Sequence, residues 1–265
     1  NKMIMDKLFR IDAYAVIFRS YYAFINRPTI NSKGLNTSAI VGFCNTLREV
    51  LDKGNPTYLG VAFDIGKTFR HDIFPPYKAQ REATPEDIKA AVPYIQAILR
   101  AMNIPILAVE GFEADDVIGT LALKAGDEGI ETYMLTPDKD YGQLIRKNVY
   151  MFRPRHGGGY DKIGEKEIME KYGISSATQV IDLLALMGDS SDNYPGCPGV
   201  GEKTAAKIIN EFGSTEEILA HTDQLKGKMR EKIEGAVEDI KMAKYLATIR
   251  TDVPIALDLN QLKVT

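Results

Sequence analysis

Apolar and polar positions change their period partway along this chain. In the first half, short apolar runs alternate with stretches whose apolar residues recur at helical spacing. That alternation predicts an α/β fold, a mainly parallel sheet flanked by helices. The runs that read as strands cover residues 7–11, 58–63, 105–109 and 131–135. The clearest helix opens at Thr84, with Pro85 as its first helical residue and Asp87 in the capping position. Its stripe of Ile88, Ala91, Val92, Ile95, Leu99 and Met102 is assigned to the core. From about residue 165 the strand signal gives way to helices separated by glycine turns at Gly173, Gly213 and Gly227. Two units follow: an α/β domain over 1–174, with an arch near 66–90, and a helical subdomain over 175–265.

Three predicted strands run into aspartates: Asp12, Asp64 and, after Thr136-Pro137, Asp138. A lone Asp in that place is usually a cap or turn residue. Three on neighbouring parallel strands would share the crevice beyond the carboxyl ends, where ligands of open α/β sheets bind. Further carboxylates come in clusters: Glu113, Asp115 and Asp116 at a helix start, then Asp138-Lys139-Asp140, then Asp189 and Asp192. Helix dipoles explain one acidic residue in a first turn, not three that repel one another. Oxygen-rich sets without His or Cys suit hard cations, Mg²⁺ or Mn²⁺, and two such ions suit phosphodiester hydrolysis.

Composition changes this picture only in places. The chain has 265 residues, 45% of them hydrophobic, enough for a core without disulfides. Cys44 and Cys197 lie far apart and form no metal-type spacing, which points to a reducing compartment. No stretch is long enough to span a bilayer, so the expected setting is the cytoplasm. A net charge of −3 argues against nucleic acid until the nine clustered carboxylates are set aside, which leaves +6 elsewhere. The segment from Gly66 to Arg81 interleaves cations and aromatics, as single-stranded DNA sites do, with Arg70, Tyr77, Lys78 and Arg81 as candidates. Its alternative is an exposed loop whose aromatics tuck into the core. The segment Gly196 to Ala206 reads as a helix–hairpin–helix turn. There Gly199, Val200, Gly201, Lys203 and Thr204 would meet phosphate without reading sequence.

These motifs resemble the 5′ nuclease (flap endonuclease) family, closest to the amino-terminal 5′→3′ exonuclease domain of bacterial DNA polymerase I. The resemblance rests on Glu113-Ala114-Asp115-Asp116, Asp138-Lys139-Asp140 and Gly188-Asp189-Ser190-Ser191-Asp192-Asn193 with the glycine-rich turn after them. It implies a PIN-like fold and metal-binding roles for Asp12, Asp64, Glu113, Asp115, Asp116, Asp138, Asp140, Asp189 and Asp192. It also implies phosphate contacts for Arg70, Lys78 and Arg81, with Lys78 and Arg81 supporting the scissile phosphate and Asp116 and Asp138 central to catalysis. Tyr77 would stack on substrate, and Arg19 would lie at the active-site floor. Further implications are two or more divalent ions, K⁺ at the hairpin, DNA flaps and nicks as substrate, a linked polymerase domain, and a monomer in bacterial cytoplasm. Ala13 and Pro137 depart from a family pattern in which glycine is common, and neither is a ligand.

Overall fold

A computed structural model describes residues 5–155 and 157–265. Its centre is a six-stranded sheet of order β3-β2-β1-β4-β5-β6. The strands are β1 (Lys7–Asp12), β2 (Tyr58–Ala62), β3 (Ile106–Leu107), β4 (Glu131–Leu135), β5 (Val149–Pro154) and β6 (Tyr160–Ile163). All pairings are parallel except β5 with β6. Around them lie helices α1 (Ala13–Ala23), α2 (Ser38–Glu49), α3 (Phe69–Ile73), α4 (Glu86–Ala101), α5 (Ala114–Asp127) and α6 (Glu165–Tyr172). The later part adds α7 (Val180–Met187), α8 (Glu202–Phe212), α9 (Thr215–Ala220), α10 (Lys228–Glu234), α11 (Val237–Ala247) and α12 (Leu259–Leu262).

Alternation along β1 divides the core into two layers. Phe9 and Ile11 pack with Ile17, Phe43 and Ile95 from α1, α2 and α4. Leu8 faces the opposite layer, built from α5 residues such as Val117 and Leu121 and from the helices of the later part. Arg10 shares the Leu8 face and is fully buried, and burial pushes its guanidinium down to about 9. Among the described residues no helix is long and apolar enough to cross a membrane.

Several expectations need correction. Helix α4 begins at Glu86, with Pro85 as its cap rather than its first turn. Ile88, Ala91, Ile95 and Leu99 are buried, whereas Met102 lies past the helix end and is 43% exposed. Within the segment 66–90 lie α3, of five residues, then turns and irregular chain until α4 opens at Glu86. Strands β5 and β6 lie outside the predicted set, since β6 is a four-residue edge with the sequence YDKI and no apolar alternation.

The part read as wholly helical contains a small hairpin, β7 (Gly188–Asp189) with β8 (Tyr194–Pro195). Gly188 pairs with Pro195 there at φ +70°, a conformation that disfavours side chains. A Cβ on Gly188 would meet Tyr194 O at 2.8 Å, and one on Gly196 would meet Leu186 O at 2.6 Å. Both neighbours are backbone and cannot step aside. Replacing either glycine with alanine is expected to cost about 1–3 kcal/mol, the usual penalty for forced overpacking. Urea unfolding measures this directly, and a loss below about 0.5 kcal/mol, the range of neutral surface changes, contradicts it.

Candidate metal centre

The strand-end aspartates meet where the parallel order of β2, β1 and β4 requires. Asp12 closes β1 and caps α1, accepting from Ala15 N at 3.4 Å and from Tyr141 Oη at 3.0 Å. Asp64, just beyond β2, accepts from Ala114 N at 2.9 Å, which ties it to the start of α5. Asp138 follows β4 and accepts from Asp140 N at 3.0 Å, opening a 3-10 turn over Lys139–Leu144. A cavity of about 270 Å³ is lined by Asp12, Asp64, Glu113, Asp115, Asp138 and Asp192, with Lys78 and Arg81 at its side.

Two carboxylate groups are close enough to share cations. Oxygens of Glu113, Asp115 and Asp116 lie within 4.8 Å of one another, as do oxygens of Asp140, Asp189 and Asp192. Within the first group the three side chains differ in what already holds them. Asp116 is fully buried and takes four donors: Arg70 Nη1 at 2.7 Å, Arg70 Nη2 at 2.8 Å, Glu113 N at 3.0 Å and Arg250 N at 2.8 Å. Glu113 accepts from Arg70, from Lys78 at 2.5 Å and from Tyr77 at 3.1 Å. Asp115 Oδ1 and Asp140 Oδ1 are buried without any donor among the described residues. An unpartnered buried carboxylate oxygen is costly, and a divalent cation is the partner that would satisfy it.

Electrostatics divide along the same line. Burial raises the Asp12 carboxyl to about 7, with nearby Asp64 adding to the effect. Burial likewise raises Asp140 to about 8, helped by Asp138 and Asp192, and holds Asp115 well above the ordinary range. Glu113 goes the other way: burial would raise it, but Lys78 and Arg70 outweigh that and keep it ionised. The first set is short of positive charge, whereas Glu113 already has its own.

The basic and aromatic candidates separate. Lys78 and Arg81 reach the cavity. Arg70 does not: its side chain is 1% exposed and committed to Glu113 and Asp116, so it is an internal anchor and not a phosphate contact. Tyr77 is buried with its hydroxyl on Glu113, which leaves no ring face for substrate. Arg19 is exposed on α1 and does not line the cavity; its charge registers at Tyr160 instead. In the helix–hairpin–helix turn, Gly199 has φ +79° and Gly201 caps α8 in open space. Lys203 is exposed, Thr204 is half-buried and the Val200 side chain is buried as an anchor.

Other residues of the site carried no sequence signal. Tyr141 orients Asp12 from 129 positions away. The segment 76–81 is strapped to the β7–β8 loop: Lys78 N donates to Asp192 O, Asn193 Nδ2 to Pro76 O, Gln80 Nε2 to Ser190 O and Arg81 Nη2 to Asp192 Oδ1.

Comparison with known proteins matches residues 7–173 to the "5′-3′ exonuclease, N-terminal resolvase-like domain" and residues 175–265 to the "5′-3′ exonuclease, C-terminal SAM fold". Among curated relatives, DNA polymerase I of Bacillus caldotenax is 40% identical over 260 residues, covering 97% of this chain and 29% of that protein. DNA polymerase I of Bacillus subtilis is also 40% identical, with the same coverage. The chain thus spans under a third of the length of these relatives. Among solved structures, T5 5′-exonuclease with bound zinc superposes with a TM-score of 0.74 at 23% identity, covering 92% of this chain and 90% of that one. The catalytic core of Rad2 in complex with DNA substrate gives 0.65 at 16% identity, over 98% and 83% respectively.

Two measurements test the charge balance of the centre. Arg70→Met leaves Asp116 buried without its counter-ion and Glu113 with Lys78 alone, and is expected to cost about 3–5 kcal/mol in urea unfolding. A loss under about 1 kcal/mol would show the network to be peripheral. The second concerns pH. Asp12 and Asp140 titrate at about 4 when unfolded but at about 7 and about 8 when folded. Between those values the folded chain holds protons that the unfolded chain releases, so cation-free protein loses stability as pH rises through the interval. Melting temperatures in chelator should fall across it, and Mg²⁺ should restore them most at the alkaline end. A cation-free melting temperature that climbs with pH there contradicts the assignment.

Proposed function

This chain belongs to the 5′–3′ exonuclease family, and on that basis we propose that it hydrolyses DNA phosphodiesters at 5′ ends, flaps and nicks in a divalent-cation-dependent reaction. The observation that carries this reading is the pair of buried, donorless oxygens on Asp115 and Asp140, set in two carboxylate groups beside Lys78 and Arg81. The donor set fits Mg²⁺ or Mn²⁺, being wholly carboxylate. Asp12, Asp64, Asp115 and Asp138 would hold one ion, with Glu113 beside them; Asp140, Asp189 and Asp192 would hold another. When bound, these ions supply water activation and neutralise charge on the leaving 3′ oxygen.

The chain's own groups do the rest. Lys78 and Arg81 sit on one wall and offer cations to the scissile phosphate as its charge grows. Glu113 and Asp192 raise the Lys78 ammonium above its ordinary value against the effect of burial, so it stays charged at any working pH. Tyr141 fixes the Asp12 carboxylate, and Ala114 N fixes Asp64. Asp116 acts through Arg70 and Glu113, positioning the first group rather than facing the substrate. The exposed amino end of α8, with Gly199, Gly201 and Lys203, suits duplex backbone, and backbone carbonyls of the hairpin turn before it suit K⁺. A polymerase linked in the same polypeptide, as in the relatives, would receive the trimmed end.

Asp115→Asn and Asp140→Asn should each abolish Mg²⁺-dependent cleavage of a 5′-flap duplex while leaving the fold intact. Lys78→Ala should lower kcat by on the order of 100- to 1,000-fold, the scale for losing one preorganised charge-stabilising donor. Full activity in Asp140→Asn would refute the second ion site.

A further inference from the structure

A second cavity, of about 300 Å³, opens behind the metal centre between β5, the end of α6, α7 and the amino end of α8. Three cations line it: Lys139, lodged between Asp138 and Asp140, Arg153 from β5, and Lys171 from α6. Glu202 is the single carboxylate on its wall, and its floor is apolar, with Leu183, Leu184 and Met187. Among the described residues none of these four charged side chains makes an ion pair, although such pairs are frequent elsewhere on the chain.

The cations are close enough to feel one another. Burial lowers the Lys171 ammonium, Arg153 and Lys139 lower it further, and only Glu202 opposes them. Arg153 and Lys171 face only one carboxylate, Glu202, while Lys139 is already felt by Asp138 and Asp140, and the surplus positive charge in the notch favours an anion there. The three cations are not a scattered solvated face, because they come from three separate elements and converge on one concavity. An adjoining groove shares Lys171 and Glu202 and continues along α8 past Lys203, Lys207 and Glu211, with Glu170 on its α6 side, so its charges balance. The three-cation notch itself lies between the Asp138–Asp140 edge of the metal centre and the amino end of α8.

We propose that the Lys139–Arg153–Lys171 notch is a backbone-phosphate subsite, holding the DNA duplex between the metal centre and the α8 hairpin. The inference rests on the proposed DNA substrate and adds where its duplex is gripped. Contact is to phosphate alone and carries no sequence preference.

The test is equilibrium binding of a 5′-flap duplex, measured in chelator so that no strand is cut, at several salt concentrations. The double variant Arg153→Ala, Lys171→Ala should bind on the order of 10-fold more weakly, and its salt slope should flatten by about one unit for each phosphate it no longer neutralises. Arg153→Lys with Lys171→Arg should keep wild-type affinity, which separates charge from packing. In Mg²⁺ the alanine double variant should show raised KM with kcat unchanged. Wild-type affinity and slope in the alanine variant would overturn the subsite while leaving the cleavage reading untouched. The converse result, DNA bound and never cut by the wild type, would sink the cleavage reading and leave the binding comparison valid. Competition by a free deoxynucleoside monophosphate in the wild type, absent in the variant and without any effect of the variant on duplex binding, would overturn DNA as the occupant.

Discussion

Carboxylates can be gathered in one place only if something positive stands among them, and Arg70 is the cation this chain provides for itself. Its guanidinium has five N–H donors, and all are engaged: Nε on Leu246 O, Nη1 on Glu113 and Asp116, Nη2 on Asp116 and Thr248 O. Two carboxylates about 4 Å apart repel by about 4 kcal/mol at an effective dielectric near 20. By absorbing Asp116 and sharing Glu113 with Lys78, Arg70 removes most of that repulsion from the start of α5. The same five bonds join α3, the start of α5 and the end of α11. Remove this cation, and the helix that presents Asp115 to the cavity loses its seat.

The centre is therefore built on a gradient of neutralisation. Asp116 is fully matched, Glu113 is shared, and Asp115 and Asp140 keep an oxygen with no donor among the described residues. Matched groups give rigidity, while unmatched ones leave affinity for an external charge. Raised carboxyls at Asp115 and Asp140 are the electrostatic signature of the unmatched end.

How much of this is legible in the sequence depends on the range of the interactions involved. Asp12, Asp64 and Asp138 can be placed because strand ends in a parallel sheet share one edge, a rule that needs no knowledge of side-chain direction. The boundary of α4 slips because Pro85 serves as well before a first turn as within it. Arg70 and Tyr77 read as facing DNA because an irregular segment carries no periodicity to tell inside from outside. Their partners lie far along the chain, with Leu246 176 residues from Arg70 and Glu113 36 from Tyr77. The Phe69 ring beneath the Arg70 guanidinium, at 4.5 Å, fits an inward cation, yet the pair alone looks the same as a stacking site for bases. The β7–β8 hairpin, two residues to a strand, is too short for any periodic signal, and only the close approach of Gly188 and Gly196 makes it possible.

The strap between segment 76–81 and the β7–β8 loop has a meaning for descent as well as for chemistry. Asp189 and Asp192 come from the later part of the chain and Asp140 from the earlier, yet their oxygens form one group. A lineage that exchanged either part for an unrelated module would receive half a cation site and a strap with nothing to grip. Recombination at the junction near residue 174 should therefore be filtered out, and the two parts inherited as one unit even where each folds as a recognisable module.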